Sequence, residues 1–324
     1  MTRVAAIDCG TNSIRLLIAD LDGKGGMTDV VRVRELVRLG EGVDRTGRFS
    51  AGALERTLAA TQKYADLIRE HGAERIRFVA TSATRDAVNR AEFTEAVLAK
   101  LGVPAEVIPG TEEAALSFRG ALMALEPAAS VETPDRYLVV DLGGGSTELV
   151  LGGTAPESAY SMDVGCVRLT ERHLHSDPPQ ESELDNIRRD VNAALDTAIE
   201  AVDVAQATEV VGVAGTITTI TAHALALTAY EPDLISGARL PLAEILKACE
   251  SLTRMPRAER AALLYMHPGR VDVIGTGATI WATVLRRVAA ATEAAGHPLE
   301  FVSTSEHDIL DGVALSLAPA HAGH

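Results

Sequence analysis

Apolar and polar positions follow two periods along this chain. Near the start, the mostly apolar runs VAAI and IRLLIAD and the more mixed VVRVRELVRLG (30–40) are separated by glycine-bearing turns and read as strands. The period then lengthens. SAGALERTLAATQKYADLIREHG (50–72) places apolar residues on one helical face, with Ser50 a candidate N-cap and Gly72 a stop. A strand follows from Ile76 to Ala80 and runs into the polar turn Thr81, Ser82, Ala83, Thr84, Arg85. The pattern next predicts a helix over about 86–101, a short strand in AEVIP, a glycine turn, and a helix over 111–126 entered by Thr111.

The second half repeats the theme with longer helices. YLVV and TELVLG read as strands, and residues 181–203 form an acidic amphipathic stretch. EVVGVAGTITTITAHALAL predicts a strand, a turn from Gly212 to Thr216, and a helix opening after it. GRVDVIGTGATIWATVLRRVAAA (269–291) predicts another glycine turn before a long helix. The closing SEHDILDGVALSLA reads as an amphipathic helix with Ile309, Leu310, Val313 and Leu317 on one broad face. The Pro-rich, polar EPAASVETPD is the natural crossing between the halves, and no low-complexity or coiled-coil segment intervenes.

Composition narrows the class. A chain of 324 residues, 47% hydrophobic, is long for one core and favours two domains of ordinary size. Its 30 Lys and Arg against 45 Asp and Glu give a net charge of −15, which disfavours nucleic acid and anionic membrane as partners but leaves room for a locally positive site. Aromatics are only 3%, so stacking platforms for bases are scarce. Cys9, Cys166 and Cys249 are odd in number and widely spaced, against a disulfide scaffold or a zinc site. Asp8 interrupts the first apolar run, so no secretory signal is read, and no segment has the length of a membrane span. The expectation is a cytoplasmic enzyme.

DLGGGSTELVLGG (141–153) flanks three consecutive glycines with Asp141 and Glu148. Taken alone, the run fits a tight surface turn as well as a loop whose bare N–H groups approach an anion. An internal repeat separates the two. DCGTNSIRL (8–16) and DLGGGSTEL (141–149) share D-x-G-x-x-S-x-x-L, with Asp8/Asp141, Gly10/Gly143, Ser13/Ser146 and Leu16/Leu149 in register. Each copy lies between two strand-like runs, so each reads as a β-hairpin. A dinucleotide fingerprint or P-loop needs a helix after its glycines, and neither motif occurs here.

DCGTNSIRLL, ATSATRDAVN, PGTEEAALSFRGA, DLGGGSTEL, VGCVRLTE, GVAGTIT and DVIGTGATI occur in this order. Together they resemble the exopolyphosphatase/guanosine pentaphosphate phosphohydrolase (Ppx/GppA) family, in its short two-domain branch without the extra helical C-terminal region. The resemblance implies an α/β fold of two duplicated actin-like ATPase (ribonuclease H-like) domains flanking a cleft. The expected division is 1–126 completed by a C-terminal helix in 305–324, with 127–304 as the second domain. It also implies Mg²⁺ and a homodimer; no heptad or exposed apolar run argues for the dimer independently.

Hydrolysis of a phosphoanhydride requires the scissile phosphate to be held, its charge neutralised and a water aimed in line. The backbone of Gly143, Gly144, Gly145 and Ser146 is expected to cradle phosphate oxygens, with Thr11, Asn12 and Ser13 doing so from the opposite wall. Magnesium takes one or two carboxylates plus phosphates and waters, which fits Asp141 and Glu148, with Asp8 a candidate for its outer shell. Glu113 occupies the family's catalytic-glutamate position in Gly110-Thr111-Glu112-Glu113-Ala114. On sequence alone both glutamates equally suit a helix's first turn. Arg85 is the leading phosphate contact. Arg15 stands where Glu148 stands in the repeat and either contacts substrate or forms a salt bridge; Arg168 is expected to be structural or at the cleft rim. Gly215 and Thr216 open a helix whose N-terminus suits a further phosphate. His173, His175 and His267 show no metal spacing and read as surface residues, and His307-Asp308 lacks the partners of an HD metal site.

The preferred reading is Mg²⁺-dependent removal of the terminal phosphate of inorganic polyphosphate, with short chains expected from the two-domain length. The alternatives are pppGpp 5′-phosphate hydrolysis, phosphotransfer to ADP, and a non-catalytic sensor of polyphosphate or ppGpp. The intact Glu113, Asp141 and Glu148 argue against the sensor.

Overall fold

The computed structural model describes residues 1–23, 25–124 and 136–318. The crossing EPAASVETPD, the boundary expected at 126/127 and the end of the 305–324 segment lie outside the described residues. The chain divides into two compact units, Met1–Leu116 with Ile309–His324, and Ser117–Asp308.

The first unit contains strands β1 (Thr2–Cys9), β2 (Ser13–Leu21), β3 (Met27–Leu36), β4 (Arg75–Ala80) and β5 (Ala105–Val107) in the order β3-β2-β1-β4-β5. The β1/β2 and β2/β3 pairs are antiparallel; β1/β4 and β4/β5 are parallel. Central β1 is buried along most of its length, which explains its unbroken apolar run, whereas the edge strand β3 carries Asp29, Arg32, Arg34 and Glu35. Helices α1 (Val43–Thr46), α2 (Ala51–His71), α3 (Ser82–Asp86), α4 (Arg90–Leu101) and α5 (Gly110–Ala121) join the strands. Ser50 Oγ accepts from the Ala53 N–H at 3.2 Å and Gly72 closes α2 at φ 65°, as the pattern predicts. The helix expected over 86–101 is broken. The turn 81–85 is taken up by α3, and α4 starts at Arg90 because Asn89 pairs with Phe49, Oδ1 accepting its N–H at 2.9 Å and Nδ2 donating to its carbonyl at 3.3 Å.

The second unit begins within α5. Its strands are β6 (Tyr137–Leu142), β7 (Thr147–Gly152), β8 (Pro156–Met162), β9 (Glu209–Val213), β10 (Arg239–Pro241) and β11 (Phe301–Thr304), ordered β10-β11-β9-β6-β7-β8. Read from β8, its first five strands repeat the antiparallel and parallel pairings of the first unit. This is the duplicated α/β, actin-like (ribonuclease H-like) fold, with β10 added at one edge.

The helices of this unit are α6 (Cys166–His173), α7 (Glu181–Ala201), α8 (Ala214–Ala224), α9 (Pro232–Ile235), α10 (Leu242–Arg254), α11 (Arg257–Ala262) and α12 (Ile274–Ala294). Two expected glycine turns are absent. β9 passes directly into α8 through Ala214 at φ 72°, and Gly275 and Gly277 lie in the first turn of α12. Packing explains the second case: a Cβ on Gly277 would sit 2.4 Å from Thr216 Cγ2.

The last helix, α13 (Ile309–Ser316), belongs to the first unit. It is not amphipathic as expected. Residues 309–315 are all buried, Asp311 included, and Arg32 reaches Asp311 Oδ1 at 2.5 Å.

Candidate active site

Both copies of the repeat form the predicted hairpins, and each turn is closed by the same bond. The Gly143 N–H donates to Ser146 O, and the Gly10 N–H to Ser13 O, both at 3.0 Å. The Gly143 N–H is therefore used within the turn, which removes it from the expected cradle. The loop's carbonyls are engaged on one side. The Cys166 N–H donates to Gly143 O at 3.1 Å, and the Val167 and Arg168 N–H groups to Gly144 O at 2.8 and 3.1 Å. In a trans peptide the N–H points opposite to the C=O, so the N–H groups of Gly144 and Gly145 are turned away from α6. In the first unit Thr11 O accepts from Gly40 N–H at 2.8 Å and Asn12 O from Arg38 N–H at 2.9 Å, turning the N–H groups of Asn12 and Ser13 in the same manner. Thr11 Oγ1 is 2.9 Å from Ser82 Oγ, a buried pair.

The repeats differ at one pair of positions. Asp8 lies opposite Arg15 in the β1/β2 register, and Asp141 opposite Glu148 in the β6/β7 register. Arg15 bonds Asp8 Oδ2 through Nε at 3.0 Å and Nη2 at 2.7 Å; of its two sequence readings, the salt bridge is the one formed. At the same place the second unit sets two carboxylates side by side, Asp141 6% and Glu148 1% exposed. Ser117 donates to Asp141 Oδ2, and Ser161 to Glu148 Oε1 at 2.6 Å. Directly opposed like charges are destabilising. A pair of acids where the first copy holds an acid and a base is a donor set suited to a divalent cation. Among the described residues no group of three or more His, Cys, Asp or Glu could hold a metal ion.

Glu113 lies in the first turn of α5, buried, with Oε2 2.6 Å from Arg85 Nη1. Arg85 also donates to Ile108 O at 3.1 Å. Burial pushes the Glu113 carboxyl above the ordinary glutamate range, Arg85 pulls it down, and the nearby Asp8 charge pushes it up again. The two glutamates that the sequence left equivalent are thus distinct: Glu112 is exposed enough to pair with Arg77 at 2.6 Å, facing away from that environment.

One cation was missed by the sequence reading. Arg270 is buried beside the start of α8; a Cβ on Gly215 would stand 2.0 Å from its Nη2, and its Nη1 donates to Thr219 Oγ1 at 2.7 Å. Thr216, predicted with Gly215, is also buried there. The available signal was a lone arginine two residues before DVIGTGATI. The histidines divide. His173 is half-buried and 2.7 Å from Asp190, against its surface reading, while exposed His267 accepts from the Gly269 N–H at 3.1 Å. The three cysteines are free and buried, and no helix among the described residues is long and apolar enough to cross a membrane.

The Ppx/GppA phosphatase family matches residues 17–293. Exopolyphosphatase 2 of Mycobacterium tuberculosis is 52% identical over 326 aligned positions, covering 98% of this chain and 99% of its own. A crystal structure of an exopolyphosphatase-like protein superposes with a TM-score of 0.91 at 46% identity, covering 98% of this chain and 99% of its own. A Ppx/GppA family member from Aquifex aeolicus superposes with a TM-score of 0.78 at 29% identity, over 100% of this chain and 99% of its own.

Proposed function

The chain belongs to the Ppx/GppA phosphatase family, and from that premise we propose that it is an exopolyphosphatase, releasing orthophosphate from the end of inorganic polyphosphate. The single observation that carries the reading is the Asp141–Glu148 pair in register beside a glycine loop whose N–H groups are turned to one side. Asp141 and Glu148 would hold the metal, which we take to be Mg²⁺; when bound, it would supply positive charge against the phosphate oxygens and the leaving group. Asp8, bonded to Arg15 through Oδ2, raises the proton affinity of Glu113 through its charge.

The N–H groups of Gly144, Gly145 and Ser146 receive non-bridging phosphate oxygens; in the first unit those of Asn12 and Ser13 are suited to the same task, and Thr11 buttresses their loop through Ser82. Arg270, beside Gly215 and Thr216, supplies positive charge for a further phosphate of the chain. Glu113 accepts a proton at a carboxylate oxygen from the attacking water as oxygen adds to the terminal phosphorus and the P–O bond to the rest of the chain breaks. Its raised proton affinity suits that task, and Arg85 orients it and is left free to meet the phosphate that forms.

The test is phosphate release by the purified protein, with Mg²⁺, from polyphosphates of defined length and from pppGpp, beside Glu113→Gln. Release from polyphosphate that collapses in the folded variant is expected; the same series measures the preference for short chains. Turnover of pppGpp alone would replace the reading with the nucleotide phosphohydrolase, and phosphate passed to added ADP would make it a transferase. Sedimentation of the same preparation tests the homodimer, and fractionation of cells its cytoplasmic location.

A further inference from the structure

The glycine loop presents three peptide carbonyls in succession toward α6, and the backbone of that helix can satisfy only two of them. The N–H groups of Cys166, Val167 and Arg168 serve Gly143 O and Gly144 O. The next donor, the Leu169 N–H, is spent on Gly165 O at 3.0 Å as the first bond of the helix itself. The third carbonyl, Gly145 O, is instead met by a side chain: Arg168 Nε donates to it at 2.7 Å. That peptide carries the N–H of Ser146. Gly165 permits the approach, since a Cβ there would lie 2.3 Å from Gly144 O.

The first unit solves the same problem without a charge. Its equivalent carbonyl, Asn12 O, accepts from the backbone N–H groups of Val37 and Arg38 at 3.2 and 2.9 Å. In the second copy a guanidinium stands behind the loop. The Arg168 side chain is 12% exposed, and its Nη2 is 4.0 Å from Asp163 Oδ1, which is itself 84% exposed.

We infer that Arg168 is a positioning residue for phosphate: by holding Gly145 O it fixes the 145–146 peptide so that the Ser146 N–H completes a row with those of Gly144 and Gly145. The inference rests on the proposed role of this loop as the phosphate cradle. A cation on the carbonyl side of a peptide also polarises its N–H toward an anion on the other side, so the contribution is electrostatic as well as geometric. Arg168 itself stays off the substrate, on the reverse face of the loop.

The test combines amide NMR of the full chain with kinetics for Arg168→Gln and Arg168→Lys. In the unsubstituted protein, inorganic tripolyphosphate is expected to shift the amides of Gly144, Gly145 and Ser146. In Arg168→Gln the free-state Ser146 amide should move and exchange faster, and KM for polyphosphate should rise about tenfold, the scale of one lost charge-assisted bond, with a smaller change in kcat. Arg168→Lys should recover part of KM. The slope of log KM against log salt should be unchanged, because no substrate contact has been removed; a slope smaller by about one would mean that Arg168 touches the phosphate chain and would overturn the positioning role. An unaltered Ser146 amide and KM in Arg168→Gln would also overturn it. If tripolyphosphate leaves the loop amides unmoved even in the unsubstituted protein, the cradle itself is refuted, and this inference with it.

Discussion

Replacing Glu148 with glutamine removes one charge from the Asp141–Glu148 pair while keeping the side chain's length and an oxygen for the Ser161 hydroxyl. Residues directly opposite on antiparallel strands have Cβ atoms about 5 Å apart. At an effective dielectric constant of about 20, two unit charges at about 5 Å repel by about 3 kcal/mol. Burial keeps solvent from screening them, and the surrounding hydroxyls reduce the net effect to about 1–3 kcal/mol. In a domain of this size each kcal/mol moves Tm by about 2–4 °C, so metal-free Glu148→Gln should melt about 2–12 °C above the unsubstituted protein. Magnesium should reverse the order. At a hundredfold excess over Kd a ligand that binds only the native state adds about 2.7 kcal/mol, and the variant, with one carboxylate in place of two, should gain little of it. Thermal melts in EDTA and across a magnesium titration, with phosphate release measured beside them, decide the matter. A variant that melts below the unsubstituted protein in EDTA, or that gains equally from magnesium, would refute the paired-acid argument.

Glu113→Gln should lower phosphate release by about 10²–10⁴ while leaving the circular dichroism and melting cooperativity intact. Its pH signature has a definite sign. The native carboxyl binds its proton more tightly than the unfolded one, so stability is greatest below the ordinary glutamate value and declines as pH rises through the raised one; urea melts at a series of pH values should show that decline flattened in Glu113→Gln. Arg85→Met removes the guanidinium that holds this carboxyl down, so the acidic limb of the pH–rate profile should move to higher pH; an unmoved limb would show that Glu113 does not govern it. Gly312→Ala drives a Cβ to 2.0 Å from the Leu116 carbonyl, a backbone neighbour that cannot swing aside, and should cost about 1–3 kcal/mol in chemical denaturation.

The parts legible in the sequence were those whose signal is local. The two hairpins were visible because their glycines, acids and flanking apolar runs fall within about a dozen residues, and the repeat doubled that signal. α2 was visible because Ser50 and Gly72 mark its ends. What was illegible depends on neighbours remote in the chain. Gly275 and Gly277 resemble a turn until Thr216 and Arg260 are seen packed against them. Arg270 gains meaning only beside Gly215 and Thr219. Asn89 breaks a good helical pattern through its pairing with Phe49. Ser117 and Ser161 are ordinary serines until their hydroxyls meet Asp141 and Glu148. Ile309, Leu310, Val313 and Leu317 gave the last helix an amphipathic pattern, and the ion pair with remote Arg32 helps explain why Asp311 is buried as well.

The return of α13 to the first unit has a consequence for the order of synthesis. The second unit is one continuous stretch of chain, whereas the first is interrupted and must wait for its final piece. During translation Asp8, Arg15, Arg85 and Glu113 all emerge early, yet the buried helix that packs against β1, β2 and β4 and touches the carbonyl of Leu116 emerges only after the whole second unit. A nascent chain stalled before Ile309 would therefore carry every proposed catalytic side chain and still lack part of the core beneath Glu113. Domains tend to fold as they leave the ribosome, so here the later unit can finish first, and emergence of α13 becomes the step that seals the earlier one.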